Sequence, residues 1–377
     1  MPLPSLSRLL VPILLLAVNV AQASPAQEAW EVKPNRGSSR FYDIQAHRGG
    51  RGNTVESTLP SFAWGLIDGS TTLELDNGIT KDGHVVVWHD ESVVAQKCRD
   101  TRPAFPHDPD FPYVGKFIAN LTLAQIRTLD CGSLRQSAFP MQVTYPGARI
   151  STMQEVFGFV ECADPTHQIQ WNIESKINAA QPNCTRSVDD FVTRQHAIFA
   201  GSPYRHSITY QSFDWRTLVA MKELDRNILT SALIDEDNAF TVDGSPSPWL
   251  AGRRIDAFPG ETIGQRIAQA AHDISADVLS PASTYSDLDG SMQASEYASF
   301  VTKDMVEEAH RLNLSVKPWT ANTLDVVERI AALNVDGIIT DYPNVVRRWA
   351  KVEGYTVAPK YPKQRVFRCL EEHMRLQ

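Results

Sequence analysis

Two histidines, one arginine and two carboxylates lie near one another in this sequence, each at or beside the end of an apolar run typical of a β-strand. They are His47, Arg48, Glu74, Asp76 and His89. Glu74 and Asp76 are two positions apart, so their side chains point to the same face of a strand. Carboxylates on one face repel each other unless a cation lies between them. Acid–base groups, a cationic side chain and a bound metal are together suited to metal-assisted cleavage of a phosphodiester.

A third carboxylate, Glu174, ends a later apolar run, and Lys176 follows two residues beyond it on the same side. Three carboxylates that face one point form an oxygen site of the kind that Ca²⁺ or Mg²⁺ prefers. We therefore predict that Glu74, Asp76 and Glu174 bind one divalent cation. The alternative is that these carboxylates form structural ion pairs with Arg48 and Lys176.

Charged side chains at the ends of several strands require a fold that brings those ends together. From residue 43 onward, short apolar strands alternate with amphipathic helices, which predicts an α/β fold of the TIM-type (β/α)8 barrel class. The candidate strands are 43–47, 72–76, 84–89, 169–174, 206–211, 228–234, 276–280, 314–319 and 337–340. These are nine candidates for eight barrel positions, so one is predicted not to be a full barrel strand. The gap between 76 and 84 is the irregular one, because it contains turn signals and leaves no room for a helix.

The stretch from 91 to about 150 interrupts the alternation. It is rich in proline, contains one short helical pattern, and has Cys98 and Cys131 near its two ends. We predict that it is a loop-rich segment, inserted after the third strand, that passes over the mouth of the barrel. The predicted parts of the chain are a signal peptide over 1–23, an irregular leader over 24–40, the barrel over 41–350 and a C-terminal tail over 351–377.

The first 23 residues have the features of a secretory signal peptide. Arg8 supplies a positive charge, Leu9 to Val20 is apolar, and Ala21-Gln22-Ala23 resembles a signal-peptidase site. The apolar stretch is shorter than the roughly 20 residues of a transmembrane helix, although a retained signal anchor is the alternative. Cleavage near Ala23 predicts a secreted protein, extracellular or periplasmic, without stable membrane insertion. The net charge of −8 argues against nucleic acid as a partner, and the oligomeric state stays open.

All five cysteines follow the predicted cleavage site, which is consistent with disulfides in an oxidising compartment. Cys98–Cys131 and Cys162–Cys184 are the candidate pairs, since they close loops of roughly 33 and 22 residues. Pairing cannot be read from sequence alone, and the odd number leaves one thiol without a partner.

The motif His47-Arg48, Glu74-Leu75-Asp76 and His89-Asp90 resembles the signature of the glycerophosphodiester phosphodiesterase family. Further similar segments follow in the family's order: Thr80-Lys81-Asp82-Gly83, Asn172-Ile173-Glu174-Ser175-Lys176, Ser212-Phe213-Asp214, Trp319-Thr320-Ala321-Asn322 and Gly337-Ile338-Ile339-Thr340-Asp341-Tyr342-Pro343. The resemblance covers about residues 43 to 345. It implies a TIM-type barrel with a segment inserted after the third motif.

The resemblance also implies roles for individual side chains. The implied roles are metal binding for Glu74, Asp76 and Glu174, acid–base catalysis for His47 and His89, phosphate contact for Arg48 and Lys176, and lining of the substrate pocket for Trp319 and Phe213. The alternative for Trp319 is packing at the barrel rim. Asp341 is expected to shape the closing turn. Asn77, Ser175 and the loop 53–58 depart from the family's pattern, which bears on substrate preference.

The reaction implied by the resemblance is hydrolysis of a glycerophosphodiester to glycerol 3-phosphate and an alcohol. One histidine removes a proton from the attacking oxygen, of water or of the substrate's own 2-hydroxyl, and the other protonates the leaving group. One alternative is phospholipase D-like cleavage of lysolipids or sphingomyelin, which a hydrophobic groove formed by Phe105, Phe111, Tyr113 and Phe117 would favour. These residues could equally form the inserted segment's own core. The other alternative is a non-catalytic secreted barrel.

Overall fold

Eight parallel strands form the barrel in the computed structural model, which describes residues 41–241, 243–285 and 299–377. The predicted signal peptide and the leader over 24–40 lie outside these residues. The strands are β1 (Asp43–Ala46), β2 (Thr72–Ile79), β3 (Val85–Val87), β4 (Gln170–Ser175), β5 (Ile208–Ser212), β6 (Leu229–Ile234), β7 (Val278–Pro281), β8 (Ser315–Val316) and β9 (Gly337–Thr340). Their order is β8-β7-β6-β5-β4-β2-β1-β9, and β3 pairs only with β2.

The barrel closes between β9 and the segment that follows β8. Asp336 N donates to Val316 O at 2.9 Å, Ile339 N to Pro318 O at 3.0 Å, and Ala321 N to Ile339 O at 3.0 Å. These main-chain bonds continue the ring beyond the two residues of β8 itself. The predicted TIM-type barrel is therefore confirmed.

The helices surround the strands, and several of them begin at a side chain that caps the helix. They are α1 (Leu59–Asp68), α2 (Leu123–Ile126), α3 (Met153–Ala163), α4 (Val188–Ala200), α5 (Trp215–Leu224), α6 (Glu236–Ala239), α7 (Ile263–Asp273), α8 (Lys303–Arg311), α9 (Leu324–Ala331), α10 (Pro343–Val352) and α11 (Lys363–Leu376). Thr152 caps α3 in a capping box with Glu155, and Thr302 caps α8 through the backbone N–H of Met305.

The candidate strand 84–89 is the one that does not join the barrel. The part that forms a strand, β3, folds back antiparallel on the end of β2, with Asn77 opposite Val87 and Ile79 opposite Val85. The turn between them is the turn-rich gap seen in the sequence. Because side chains alternate along a strand, Val85 and Val87 pack into the barrel core while Val86 and Trp88 pack into a second core.

The second core belongs to the inserted segment and is stapled by the predicted disulfide Cys98–Cys131. Its buried apolar members besides those cysteines are Val86, Trp88, Val93, Tyr113, Ile118, Leu121, Ile126, Leu129 and Ile150. Tyr113 is fully buried there, whereas Phe105, Phe111 and Phe117 are 51%, 36% and 36% exposed. The inserted segment thus has a small core of its own, anchored to the end of β3.

The second predicted disulfide is wrong. Cys162 pairs with Cys369, across 207 residues of sequence, and Cys184 is a free thiol in the loop after β4. Cys162 lies in the last turn of α3, and α11 packs along α3 and α1. The buried face of α11 carries Cys369 beside Val366 and Leu370, which brings the two sulfur atoms together. Residues 351–377 therefore contain a helix that packs on the barrel. No helix in the described ranges is long and apolar enough to cross a bilayer.

We predict that Cys369→Ser lowers the free energy of unfolding by about 2–5 kcal/mol, because it opens a large disulfide-closed loop. Cys184→Ser is the matched control and should leave stability unchanged. Urea denaturation without reductant measures both. Loss of stability in Cys184→Ser, with none in Cys369→Ser, would instead support pairing between Cys162 and Cys184.

Candidate active site

Three buried carboxylates meet at the carboxyl ends of β2 and β4. Glu74 and Asp76 lie on one face of β2, and the parallel register places Asp76 directly beside Glu174 of β4. One ligand atom from each of the three side chains lies within 4.8 Å of the other two. All three residues are at most 5% exposed. The predicted metal-binding residues are thus brought together by strand register.

The electrostatics of this cluster show how strongly the carboxylates oppose one another. Burial and the neighbouring Asp76 raise the pKa of Glu74 well above its ordinary value. Burial and Asp76 also raise the pKa of Glu174 to about 7, although Lys176 opposes that shift. One buried oxygen of Asp76, Oδ2, has no hydrogen-bond partner. A divalent cation would relieve the repulsion and bind that oxygen, so these residues fit a hard, oxygen-preferring metal.

Two donors orient the carboxylate of Glu74. The backbone N–H of Arg48 donates to Oε2 at 2.8 Å, and the Gln211 side chain at the end of β5 donates to Oε1 at 2.9 Å. Arg48 can present its N–H in this way because it lies in a turn with a positive φ of 51°. The carboxylate is therefore held in one orientation by two different strand ends.

His47 follows β1 and is held by Asp341, which follows β9. Nδ1 of His47 lies 2.6 Å from Oδ1 of Asp341. Burial opposes ionisation of Asp341, but His47 and Arg51 outweigh burial and lower its pKa to about 2. Asp341 is therefore an acceptor at neutral pH, and Nδ1 of His47 must carry the proton it donates. The Asn322 side chain donates to the other oxygen of Asp341 at 2.7 Å, which secures the carboxylate.

The imidazole of His47 is neutral at neutral pH. Burial lowers its pKa to about 4, and the neighbouring Arg51 adds to that effect while Asp341 opposes it. With the proton on Nδ1, Nε2 has a free lone pair. This arrangement suits a general base.

His89 lies beyond β3 and is more accessible than His47. Its Nδ1 lies 3.3 Å from Oδ1 of Asp90, and its side chain is 27% exposed. Burial and the surrounding cations, Arg48 first among them, lower its pKa well below 6.5. A bound anionic phosphate would favour the protonated form, because an opposite charge raises the pKa of an imidazole.

Two cations flank the carboxylate cluster. Nε of Arg48 lies 3.4 Å from Oδ2 of Asp76, and Nζ of Lys176 lies 3.0 Å from Oε1 of Glu174. Burial opposes the charged form of Lys176, but Glu174 and Asp76 outweigh it and raise its pKa. Both side chains are thus charged, as a phosphate-binding role requires.

Phe213 and Trp319 form an aromatic wall beside Lys176. Nζ of Lys176 lies 5.4 Å from the centroid of Phe213, and the rings of Phe213 and Trp319 meet edge to face at 5.2 Å. Nε1 of Trp319 donates to Ser280 O at 2.9 Å, which holds the indole at the rim. The two predicted pocket residues therefore lie together beside a predicted phosphate-binding residue.

Three residues that support this site have no catalytic or binding role in the sequence-based prediction: Asp341, Gln211 and Glu56. The sequence predicts that Asp341 shapes the closing turn, and the structure adds its bond to His47. It directly follows a strand, as His47 does, and this position was the available signal. Gln211 also lies at a strand end. Glu56 binds Arg48 Nη1 at 2.8 Å from the loop that looked altered.

A parallel barrel with buried carboxylates, two imidazoles and two cations at the carboxyl ends of its strands has the composition of a phosphodiesterase site. The chain belongs to the Glycerophosphoryl diester phosphodiesterase family, whose model matches residues 47–345. It is therefore an enzyme of the phosphodiesterase class, acting on a small-molecule phosphodiester.

Known proteins are similar to this one in sequence or structure over most of the chain. A glycerophosphodiester phosphodiesterase of Caldanaerobacter subterraneus is 24% identical over 81% of this chain and 98% of that protein. A solved structure from Silicibacter pomeroyi, assigned to the glycerophosphoryl diester phosphodiesterases, has a TM-score of 0.67 and 26% identity over 86% of this chain and 97% of that one. A phosphodiesterase from Oleispira antarctica, solved with sn-glycerol-3-phosphate, shares the fold, with a TM-score of 0.57 and 17% identity over 82% of this chain and 97% of that one.

We predict that the pKa of His47, followed by NMR titration of its imidazole, lies below 6.5 and falls further in Asp341→Asn. The sign follows because Asp341 is the anion that stabilises the imidazolium, so its removal favours the neutral ring. A pKa that rises in Asp341→Asn would contradict the described pairing. Asp82→Asn, which alters an exposed carboxylate beside His84, is the control and should leave His47 unchanged.

Proposed function

We propose that this enzyme hydrolyses glycerophosphodiesters to glycerol 3-phosphate and an alcohol in a reaction that depends on a divalent cation, Ca²⁺ or Mg²⁺. The observation that carries the proposal is the convergence of Glu74, Asp76 and Glu174 within 4.8 Å, with a buried oxygen on Asp76 that accepts no hydrogen bond. Oxygen ligands of this kind suit either cation. When bound, the cation would supply neutralisation of phosphate charge and of the carboxylate repulsion.

His47 is the proposed general base. Its Nδ1–H is committed to Asp341, so Nε2 accepts the proton of the attacking hydroxyl, from water or from the substrate's own glycerol. As the new P–O bond forms, the imidazole becomes an imidazolium. The buried Asp341 carboxylate stabilises that charge, in the manner of a carboxylate that orients a catalytic histidine.

His89 is the proposed general acid. Its imidazolium donates a proton to the departing alkoxide oxygen as the P–O bond to the alcohol breaks, and the neutral ring is left behind. Greater exposure suits this role, because the leaving alcohol must diffuse away. Loss of the extra proton from His47 to water and gain of a proton by His89 from water then restore the starting state. If the substrate's own hydroxyl attacks, water must first hydrolyse the resulting cyclic phosphate to glycerol 3-phosphate. Arg48 and Lys176 bind the non-bridging phosphate oxygens, and the aromatic wall accommodates the glycerol or head-group end.

Export is part of the proposal. The apolar stretch from Leu9 to Val20 with the small residues up to Ala23 supports a cleaved signal peptide. The two disulfides support an oxidising compartment, extracellular or periplasmic.

We predict that the purified mature protein releases glycerol 3-phosphate from glycerophosphocholine, that EDTA abolishes release, and that Ca²⁺ or Mg²⁺ restores it. Glu74→Gln should raise the metal concentration needed, because it removes a charged ligand. Release that persists unchanged in EDTA would refute the metal dependence.

A parallel assay with a lysolipid tests the alternative substrate class, which the exposed Phe105, Phe111 and Phe117 favour. Faster turnover of the lysolipid than of glycerophosphocholine would replace the proposed substrate class.

We further predict that His47→Ala and His89→Ala each lower kcat by about 10²–10⁴-fold, the usual contribution of a general acid or base. His84→Ala is the matched control, since His84 is exposed and precedes β3, at the opposite end of that strand from His89. It should retain full activity. Near-normal turnover in either of the first two variants would rule out the role assigned to that histidine. Accumulation of a cyclic phosphate in them would identify the substrate's hydroxyl as the attacking group.

A further inference from the structure

The inserted segment supplies one cation to the mouth of the barrel, Lys97, which no motif includes. Its Nζ lies 2.7 Å from Oε1 of Glu56 and 2.6 Å from Oδ2 of Asp90. Glu56 binds Arg48, and Asp90 faces His89. We propose that Lys97 is a positioning residue that joins Arg48 and His89 into one network through these two carboxylates. The inference deepens the proposed function and rests on it for the roles of Arg48 and His89.

The first arm of the network runs through Glu56. One oxygen of its carboxylate, Oε1, accepts from both Lys97 and Nη1 of Arg48, the latter at 2.8 Å, and Oε2 accepts from the Gln136 side chain at 2.8 Å. Burial opposes ionisation of Glu56, but the Arg48, Lys97 and Arg51 cations outweigh it and lower its pKa. Glu56 is therefore a buried anion bound by Arg48 and Lys97, with Nη1 of Arg51 4.0 Å from Oε2, and loss of Lys97 shifts its pull onto the two arginines.

The second arm runs through Asp90. Lys97 binds Oδ2 at 2.6 Å, while Oδ1 lies 3.3 Å from Nδ1 of His89. The distance to His89 is long, so the imidazole alone would not fix the rotamer of a carboxylate that is 25% exposed. Lys97 supplies the short bond that does so. Lys97 thereby fixes the position of the Asp90 oxygen that Nδ1 of His89 contacts.

Lys97 itself is held firmly. Its neighbour Cys98 is tied to Cys131 by the disulfide, and the N–H groups of both Lys97 and Cys98 bind Val94 O. Its ammonium group lies 5.5 Å from the centroid of Trp88, and the side chain is 13% exposed. A cation that is placed this rigidly by a covalent staple is suited to positioning other groups.

The test compares Lys97→Met with Lys97→Arg, which keeps the charge and the donors. We expect Lys97→Met to lower kcat by about 10–100-fold, the range found when a residue that orients a metal ligand is lost, with a smaller rise in KM. Lys97→Arg should recover most of that loss. Lys116→Met is the matched control, because Lys116 lies in the same inserted segment and its ammonium group pairs with the exposed Asp110. It should retain normal turnover.

A second measurement does not depend on turnover. The charged groups that face His89 are the cations Arg48, Lys176 and Lys97 and the anion Asp90, and the neutral imidazole of His47 also faces it. Removing the Lys97 charge leaves the negative charge of Asp90 unopposed at Nδ1, so the pKa of His89 from NMR titration should rise in Lys97→Met. It should stay unchanged in Lys97→Arg and Lys116→Met. If Lys97→Met does not fold, Lys97→Gln replaces it with the same expectations.

The coupling to Asp90 supplies the last criterion. If Lys97 acts on His89 through Asp90, then Lys97→Met should cost less in kcat when Asp90→Asn is already present. Equal losses in Lys97→Met and Lys97→Arg, or an unchanged pKa of His89 in Lys97→Met, would overturn the proposal. A wild-type enzyme without turnover would contradict the proposed function instead, since the titration of His89 still decides the role of Lys97.

Discussion

The structure depends on the concentration of negative charge at one mouth of the barrel. Parallel register places Asp76 beside Glu174, and strand periodicity adds Glu74 on the same face. Burial makes that arrangement costly, because each carboxylate loses water while facing two others. The surrounding groups compensate in part: Arg48 and Lys176 supply positive charge, and the backbone N–H of Arg48 and the amide of Gln211 bind the two oxygens of Glu74. The low dielectric that makes the repulsion expensive also makes a bound cation effective.

The two imidazoles differ because their carboxylate partners differ. His47 pairs at 2.6 Å with Asp341, which is buried and bonded to Asn322, whereas His89 faces the part-exposed Asp90 at 3.3 Å. A short bond to a buried anion fixes the tautomer and leaves Nε2 free to accept a proton. The longer contact of His89, which lies nearer to solvent, leaves its imidazole free to gain and lose a proton. These different surroundings support the opposite roles that we propose for two residues of the same type.

Local pattern was sufficient to predict the parts of this fold that depend on neighbours in sequence. Alternating strands and helices predict the barrel, and the turn-rich gap after Asp76 indicates that one candidate strand does not join it. The Cys162–Cys369 disulfide was not predictable, because it requires α11 to return to α3 and leaves no local signal in the sequence. The bond between His47 and Asp341 requires the first and last strands to be adjacent, which a closed barrel implies. A charged residue directly after the last strand is the signal that could have identified Asp341.

The short strand β3 explains how an insertion can take part in a barrel active site without loosening it. Its alternating side chains enter two cores, the barrel's through Val85 and Val87 and the inserted segment's through Val86 and Trp88. His89 emerges directly from this shared strand. A displacement of the inserted segment would therefore have to break packing on both faces of β3 before it could move the imidazole. Close packing on two sides resists such displacement in a way that a loop attached at its ends alone would not. The same segment that interrupts the barrel pattern in the sequence thus helps to make the position of His89 rigid.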